Sequence, residues 1–225
     1  MSPTRFARRS AAAAAFVAAL AFAPPASAAT VSQWPMDETS GSTMLDVIGG
    51  NNGVRHSVGI GFPGFANLAY SFPGRPAIVN VPSSPSLNPG ATSFSATVHI
   101  NTSVVTRDDS ADVIRKGLST NSKTLWKMEL RPSSTRKTEK VRCYFHGTSA
   151  TASIYGPANV ADGAWHTITC AKQAGKIVVI QDGKTRSKAA TVGSISNSAP
   201  LTVGAKASND DAYQGFVDEA SFATG

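Results

Sequence analysis

Polar and apolar residues alternate with a period of two along most of the chain, and no window of a dozen residues sustains apolar spacing at three and four. In SFSATVHI, Phe94, Ala96, Val98 and Ile100 share one face. In TLWKMEL, Leu125 lies opposite Trp126 and Met128. VRCYF, AWHTITC and KIVVIQDG repeat the alternation, each bounded by Gly, Pro, Asn, Asp or Ser, which reach turn geometry at little cost. Many short strands with turn-rich connections predict an all-β fold, a two-sheet antiparallel sandwich without βαβ units. One hairpin is explicit: KIVVIQ runs into Asp182-Gly183, a pair that tolerates the positive φ of a tight primed turn, and leaves with Lys184, Arg186 and Lys188 in solvent. The Gly/Asn-rich stretch 49–53, close after Asp46, predicts a loop.

Ahead of this pattern stand Arg5, Arg8 and Arg9, an apolar run through Phe22, Pro24-Pro25 and the triplet Ala26-Ser27-Ala28. That order predicts a secretory signal peptide over 1–28, cut after Ala28. The general secretory route is expected, because the residues after Arg8-Arg9 lack the bulky twin-arginine signature. The mature chain, 29–225, then reads as one secreted, monomeric domain without a membrane span. The 21 basic residues less those three arginines leave 18 against 14 acidic ones, a balance of +4. Arg131, Arg136, Lys137, Lys140 and Arg142 cluster, and such a patch attracts an anionic glycan or nucleic acid, or is simply a solvated hairpin. No aromatics are interleaved in it to stack bases, which argues against nucleic acid as the partner.

The two cysteines, Cys143 and Cys170, both fall on strands of an exported chain, so a disulfide between them is expected, with a stabilisation of about 3 kcal/mol from loop closure. Bonding removes any nucleophilic thiolate. Trp165 follows Asp162-Gly163-Ala164 and is expected to plug one end of the core, with His166 on the opposite face.

Several fragments, taken in order, resemble the laminin G-like, concanavalin A-like lectin/glucanase jelly-roll family: VSQWPMDETSGSTMLDVIGGNNG at the start, YSFPGRPAIVNVPSSPSLNPGATSFSATVHI next, ADGAWHTITCAKQAGKIVVIQDG with its DG-x-WH strand, and the closing GFVDEASF. The resemblance spans almost all of residues 31–223. It implies two sheets of roughly six or seven strands, one concave, and a structural calcium where the N-terminal loop meets the last strand. The matching metal ligands are Asp46, Asn51 and Asp218; the alternative is that Asp46 caps a turn and Asp218 ends a strand. The chain departs from the family at His99, where a Trp is usual, which removes one large stacking surface. Lys127, Glu129 and Arg131, opposite Trp126, Met128 and Leu130, give their face a charged character or are ordinary solvent-facing residues.

Glycosidases on this architecture need two carboxylates at a set separation. The four glutamates, Glu38, Glu129, Glu139 and Glu219, have no second carboxylate two residues away, and adjacent pairs such as Asp218-Glu219 point to opposite strand faces. Jelly-roll lyases combine an Arg, a Gln-x-His strand and a late Tyr; His99 lies in TVHI, and Tyr213 lacks a Lys-x-Gly context. No nucleophile elbow occurs. The expectation is therefore a secreted, non-catalytic module for a glycan or other extracellular ligand. The alternatives are a lyase of acidic glycans and a cell-surface protein-interaction module. Its binding residues are expected among His99, Lys127, Glu129, Arg131, Tyr155 and Tyr213, with Tyr70 a further exposed aromatic.

Overall fold

The computed structural model describes residues 28–118, 123–206 and 210–225. The signal peptide expected over 1–28 lies, up to its last residue, outside them. In chain order the strands are β1 (Ala29–Trp34), β2 (Thr43–Met44), β3 (Gly53–His56), β4 (Gly59–Pro63), β5 (Leu68–Pro73), β6 (Ile78–Val81), β7 (Phe94–Asn101) and β8 (Ala111–Lys116). They continue as β9 (Leu125–Pro132), β10 (Glu139–His146), β11 (Thr151–Tyr155), β12 (Trp165–Gln173), β13 (Lys176–Gln181), β14 (Lys184–Ala189), β15 (Leu201–Val203) and β16 (Gln214–Thr224). One 3-10 turn, Pro85–Leu87, separates β6 from β7.

Two antiparallel sheets of eight strands each stack face to face, one or two strands more per sheet than expected. The first runs β14-β13-β12-β7-β16-β5-β4, with β1 pairing the far half of β16; the second runs β11-β10-β9-β8-β15-β6-β3-β2. The alternation of β7 is realised residue by residue: Phe94, Ala96, Val98 and Ile100 are buried, and the intervening residues are half-exposed. In the core Trp126 of β9 stacks on Phe222 of β16, ring centroids 5.7 Å apart, and Phe94 packs tilted or edge-on against Trp126, Phe145 and Phe222. Such aromatic pairs add about 0.5–1.5 kcal/mol each beyond their area burial. Trp34 anchors the N-terminal strand, fully buried with its indole N–H donated to the carbonyl of Asn51 at 2.8 Å.

The disulfide joins Cys143 of β10 to Cys170 of β12, Cα atoms 5.5 Å apart, and so ties one sheet to the other through the core. At the hairpin from β13 to β14, Asp182 and Gly183 have φ of 51° and 76°, the two positive values that a primed turn needs. Every residue of β14 is exposed.

Candidate functional site

The outer face of the second sheet carries charges that are buried rather than solvated. A one-residue bulge between Asp112 and Ile114 turns both Asp112 and Arg115 of β8 onto that face, opposite Glu129 and Lys127 of β9. Arg115 Nη1 donates to Asp112 Oδ2 at 2.5 Å, and Lys127 Nζ lies 3.2 Å from Asp112 Oδ1. Lys127 also pairs with Glu129, which pairs in turn with Arg142 of β10. Asp112 and Glu129 are fully buried, so five alternating charges cross three strands as one lattice. Burial raises the Asp112 pKa, with Arg115 and Lys127 pulling the other way. The Arg115 guanidinium further donates twice to the carbonyl of Gly117, at 2.9 and 2.7 Å. Both carboxylates of the face are therefore committed to cations, an arrangement suited to rigidity rather than to proton transfer.

Beyond the lattice, where β9, β10 and β11 end, lies an open groove of about 210 Å³ lined by Arg131, Pro132, Ser133, Thr138, Lys140 and Tyr155. Tyr155 is 40% exposed and stands opposite Arg142 in the β10–β11 register. The basic cluster seen in the sequence is divided between two duties. Arg136 donates to the carbonyls of Thr106 and Arg107 at 3.2 and 2.7 Å, bracing the loop before β8, and Arg142 closes the lattice while lying over the Tyr144 ring, 5.1 Å from its centroid. Arg131 and Lys140 line the groove together, without a carboxylate among the lining residues.

The other expected residues separate. His99 is on the outer face of the opposite sheet, where Thr167 meets its Nδ1 at 3.0 Å. Tyr213 is a correction: it is 1% exposed, packed edge-on against Phe72, with its hydroxyl donated to the carbonyls of Asn101 and Phe216, both at 3.1 Å. Burial drives its pKa well up. Tyr70 is likewise buried, its hydroxyl on Glu38. Trp165 does not plug the core either. It pairs with Asn101 on the outer face, while His166 turns inward and meets Asp182 at 2.7 Å and Asp162 at 3.0 Å. Alternation gave the parity of this strand but assigned the two faces the wrong way round.

The residues expected at the metal, Asp46, Asn51 and Asp218, each hydrogen-bond within the chain. Asp46 Oδ1 accepts from the backbone N–H groups of Gln33, Ile48 and Gly49 at 2.9–3.0 Å, and Oδ2 from Asn51 at 2.9 Å. Burial opposes its charge, but the four backbone donors outweigh it and hold the pKa below the usual carboxylate value. The Asn51 amide donates to Ser32 and Ser86. Asp218 accepts from Ala66 at 2.9 Å and from Glu219 at 2.8 Å. No trio of His, Cys, Asp or Glu arranged for a metal occurs among the described residues, and none of their helices is long and apolar enough to cross a membrane.

Comparison with solved structures finds the same sandwich in several binding domains. The binding domain of Paraclostridial Mosquitocidal Protein 1 matches with a TM-score of 0.68 at 14% identity, over 87% of this chain and 48% of that one. Domain 4 of AbnA, an extracellular GH43 arabinanase from Geobacillus stearothermophilus solved with arabinotriose, matches with a TM-score of 0.65 at 14% identity, over 88% and 93%. Domains LG4-5 of the mouse laminin alpha1 chain match at 0.55 and 14%, over 72% and 44%. The chain thus spans about half the length of the mosquitocidal binding domain and nearly all of the arabinanase domain. No curated protein sequence matches significantly. A laminin G-type family model, described as the concanavalin A-like lectin/glucanases superfamily, matches residues 73–224, more than half of the chain. That match and the two-sheet sandwich agree: the chain belongs to the concanavalin A-like lectin/glucanase superfamily.

Proposed function

We propose that this chain is a secreted, non-catalytic glycan-binding module whose groove at the end of β9, β10 and β11 takes an acidic polysaccharide. The observation that carries it is the exposed Tyr155 ring beside Arg131 and Lys140 in a lining without carboxylates. An exposed ring supplies apolar area for the C–H face of a sugar, and two cations with the hydroxyls of Ser133 and Thr138 supply charge and direction for a carboxylate-bearing one. The neutralised lattice next to the groove supports binding over catalysis, because Asp112 and Glu129 are each held by two cations. The arabinanase domain, nearly all of whose length this chain covers, was solved with a trisaccharide, which supports a saccharide ligand here.

Titration calorimetry of residues 29–225 with polygalacturonate, alginate and neutral arabinan tests the reading, with ultraviolet absorbance followed in parallel. Saturable heat with an acidic polymer, with affinity weakened in Tyr155→Ala and in Arg131→Ala, is the expected result. An absorbance rise from unsaturated product overturns the non-catalytic part. Absence of heat with either acidic polymer overturns the assignment of ligand.

A further inference from the structure

The outer face of the first sheet holds an aromatic surface that the β7 strand does not encode. The loop between β4 and β5 carries Phe65 over His99, ring centroids 3.8 Å apart and planes 18° from parallel, and Trp165 meets the same Phe65 edge-on at 6.3 Å. Phe65 comes from the β4–β5 loop and so adds ring surface to β7 from elsewhere in the chain. Phe65 is 51% exposed, so with His99 on one side its other face is open.

This exposed ring is held in place. Gly64 donates to the carbonyl of Asn67 at 3.0 Å, closing the turn, and Asn67 adopts φ of 52°. Ala66 donates to Asp218 and Leu68 to Asp37, each at 2.9 Å. Asp218 is fully buried beneath the loop, and a Cβ at Gly64 would come within 2.6 Å of its carboxylate, so glycine is what allows so close an approach. A ring whose loop is fixed by three hydrogen bonds loses little freedom when something stacks on it.

Beside it opens a groove of about 370 Å³ lined by Gln33, Phe65, Thr97, His99, Glu219 and Ser221, among others. That size lies within the range of small-ligand clefts, ~300–1,000 Å³. Glu219 reaches this face through a bulge in β16 between Asp218 and Ser221, and it has φ of 47°, a left-handed value that a non-glycine residue adopts at a cost. The Gln33 amide points to the same carboxylate at 3.4 Å.

We propose that this face is a second saccharide site, separate from the Tyr155 groove, in which the open face of Phe65 stacks on the ring of a neutral sugar while Glu219, Gln33, Thr97 and Ser221 bind its hydroxyls. A carboxylate and an amide side by side match adjacent sugar hydroxyls, which both donate and accept. Glu219 is the one acidic side chain of the lining and meets no Lys or Arg there, so an anionic sugar is repelled. Burial lowers the His99 pKa against the pull of Glu219, which keeps the stacking imidazole neutral at neutral pH. The site rests on its own residues and survives failure of the acidic-polysaccharide assignment.

Trp165 serves as reporter, because Trp34 and Trp126 are fully buried while Trp165 is partly exposed. Acrylamide quenching of residues 29–225 is measured with arabinotriose, xylotetraose and cellotetraose, each titrated into the millimolar range. At least one of them should protect Trp165 saturably. Phe65→Ala should weaken that protection about tenfold, and Glu219→Gln should weaken it while leaving the melting temperature near wild type, so that a folding defect is excluded. Tyr155→Ala should leave it unchanged. The proposal is overturned if none of the three sugars alters the quenching, or if protection persists undiminished in both Phe65→Ala and Glu219→Gln.

Discussion

Cys143 on β10 and Cys170 on β12 face each other across the sandwich and are bonded, making the one covalent tie seen between the two sheets among the described residues. Replacing both by Ala removes the cross-link without leaving a lone thiol. The pair should lower the unfolding free energy by about 3 kcal/mol, read as a lower denaturant midpoint. Wild-type protein under reductant should match the double variant.

The buried charges of the second sheet depend on one another. Arg115→Ala takes away the closest cation of a fully buried carboxylate and should cost about 3–5 kcal/mol. Replacing Asp112 and Arg115 together, by Asn and Met, should cost clearly less than the sum of the single changes. A double-mutant cycle by chemical denaturation measures the difference; additive losses would mean that the two side chains act independently.

Glu139 makes stability fall as pH rises. Burial raises its pKa from 4.5 to about 7, although the Thr106 N–H donated to it at 2.6 Å pulls the other way. Between those values the folded chain holds a proton that the unfolded chain has lost, so stability declines through that window and is level above it. Glu139→Gln should flatten the decline, melting with the wild type at pH 4 and gaining about 1–2 kcal/mol at pH 8. Thermal melts across that range decide it.

At the Tyr155 groove, charge and stacking separate by their response to salt. Arg131→Ala and Lys140→Ala should each weaken binding of polygalacturonate several-fold at low ionic strength, and the difference from wild type should vanish near 1 M salt, where the screening length is ~3 Å. The loss in Tyr155→Ala, about tenfold, should persist at every salt concentration. Calorimetry in a salt series reads both.

The strands were legible in the sequence because alternation is local, and β7, β9 and the β13–β14 hairpin lie where it placed them. The cysteine pair followed from there being only two. The orientation of Trp165 was not legible, since alternation gives two faces without saying which is inside; two aspartates that pair with His166 made burial of the histidine acceptable. Tyr213 escaped for a related reason, because one of the two carbonyls that accept its hydroxyl, Asn101 of β7, and the ring it packs against, Phe72, are far from it in sequence. Phe65 was missed altogether. Its partner His99 is remote in the chain, and the one local trace was a Phe between Gly64 and Asn67, an apolar residue in a turn that has no core to enter.

Strand β14 ends the first sheet, and its hydrogen-bonding edge is open to any further strand. Lys184, Arg186 and Lys188 stand opposite Gln181, Val179 and Ile177 in the hairpin register, so they project toward the side on which the sandwich keeps its apolar filling. A second copy docking there would have to lay its own apolar row over three ammonium and guanidinium groups. A row of charges turned toward the filling at this edge opposes pairing with a further strand, so β14 closes its side of the first sheet against edge-to-edge growth.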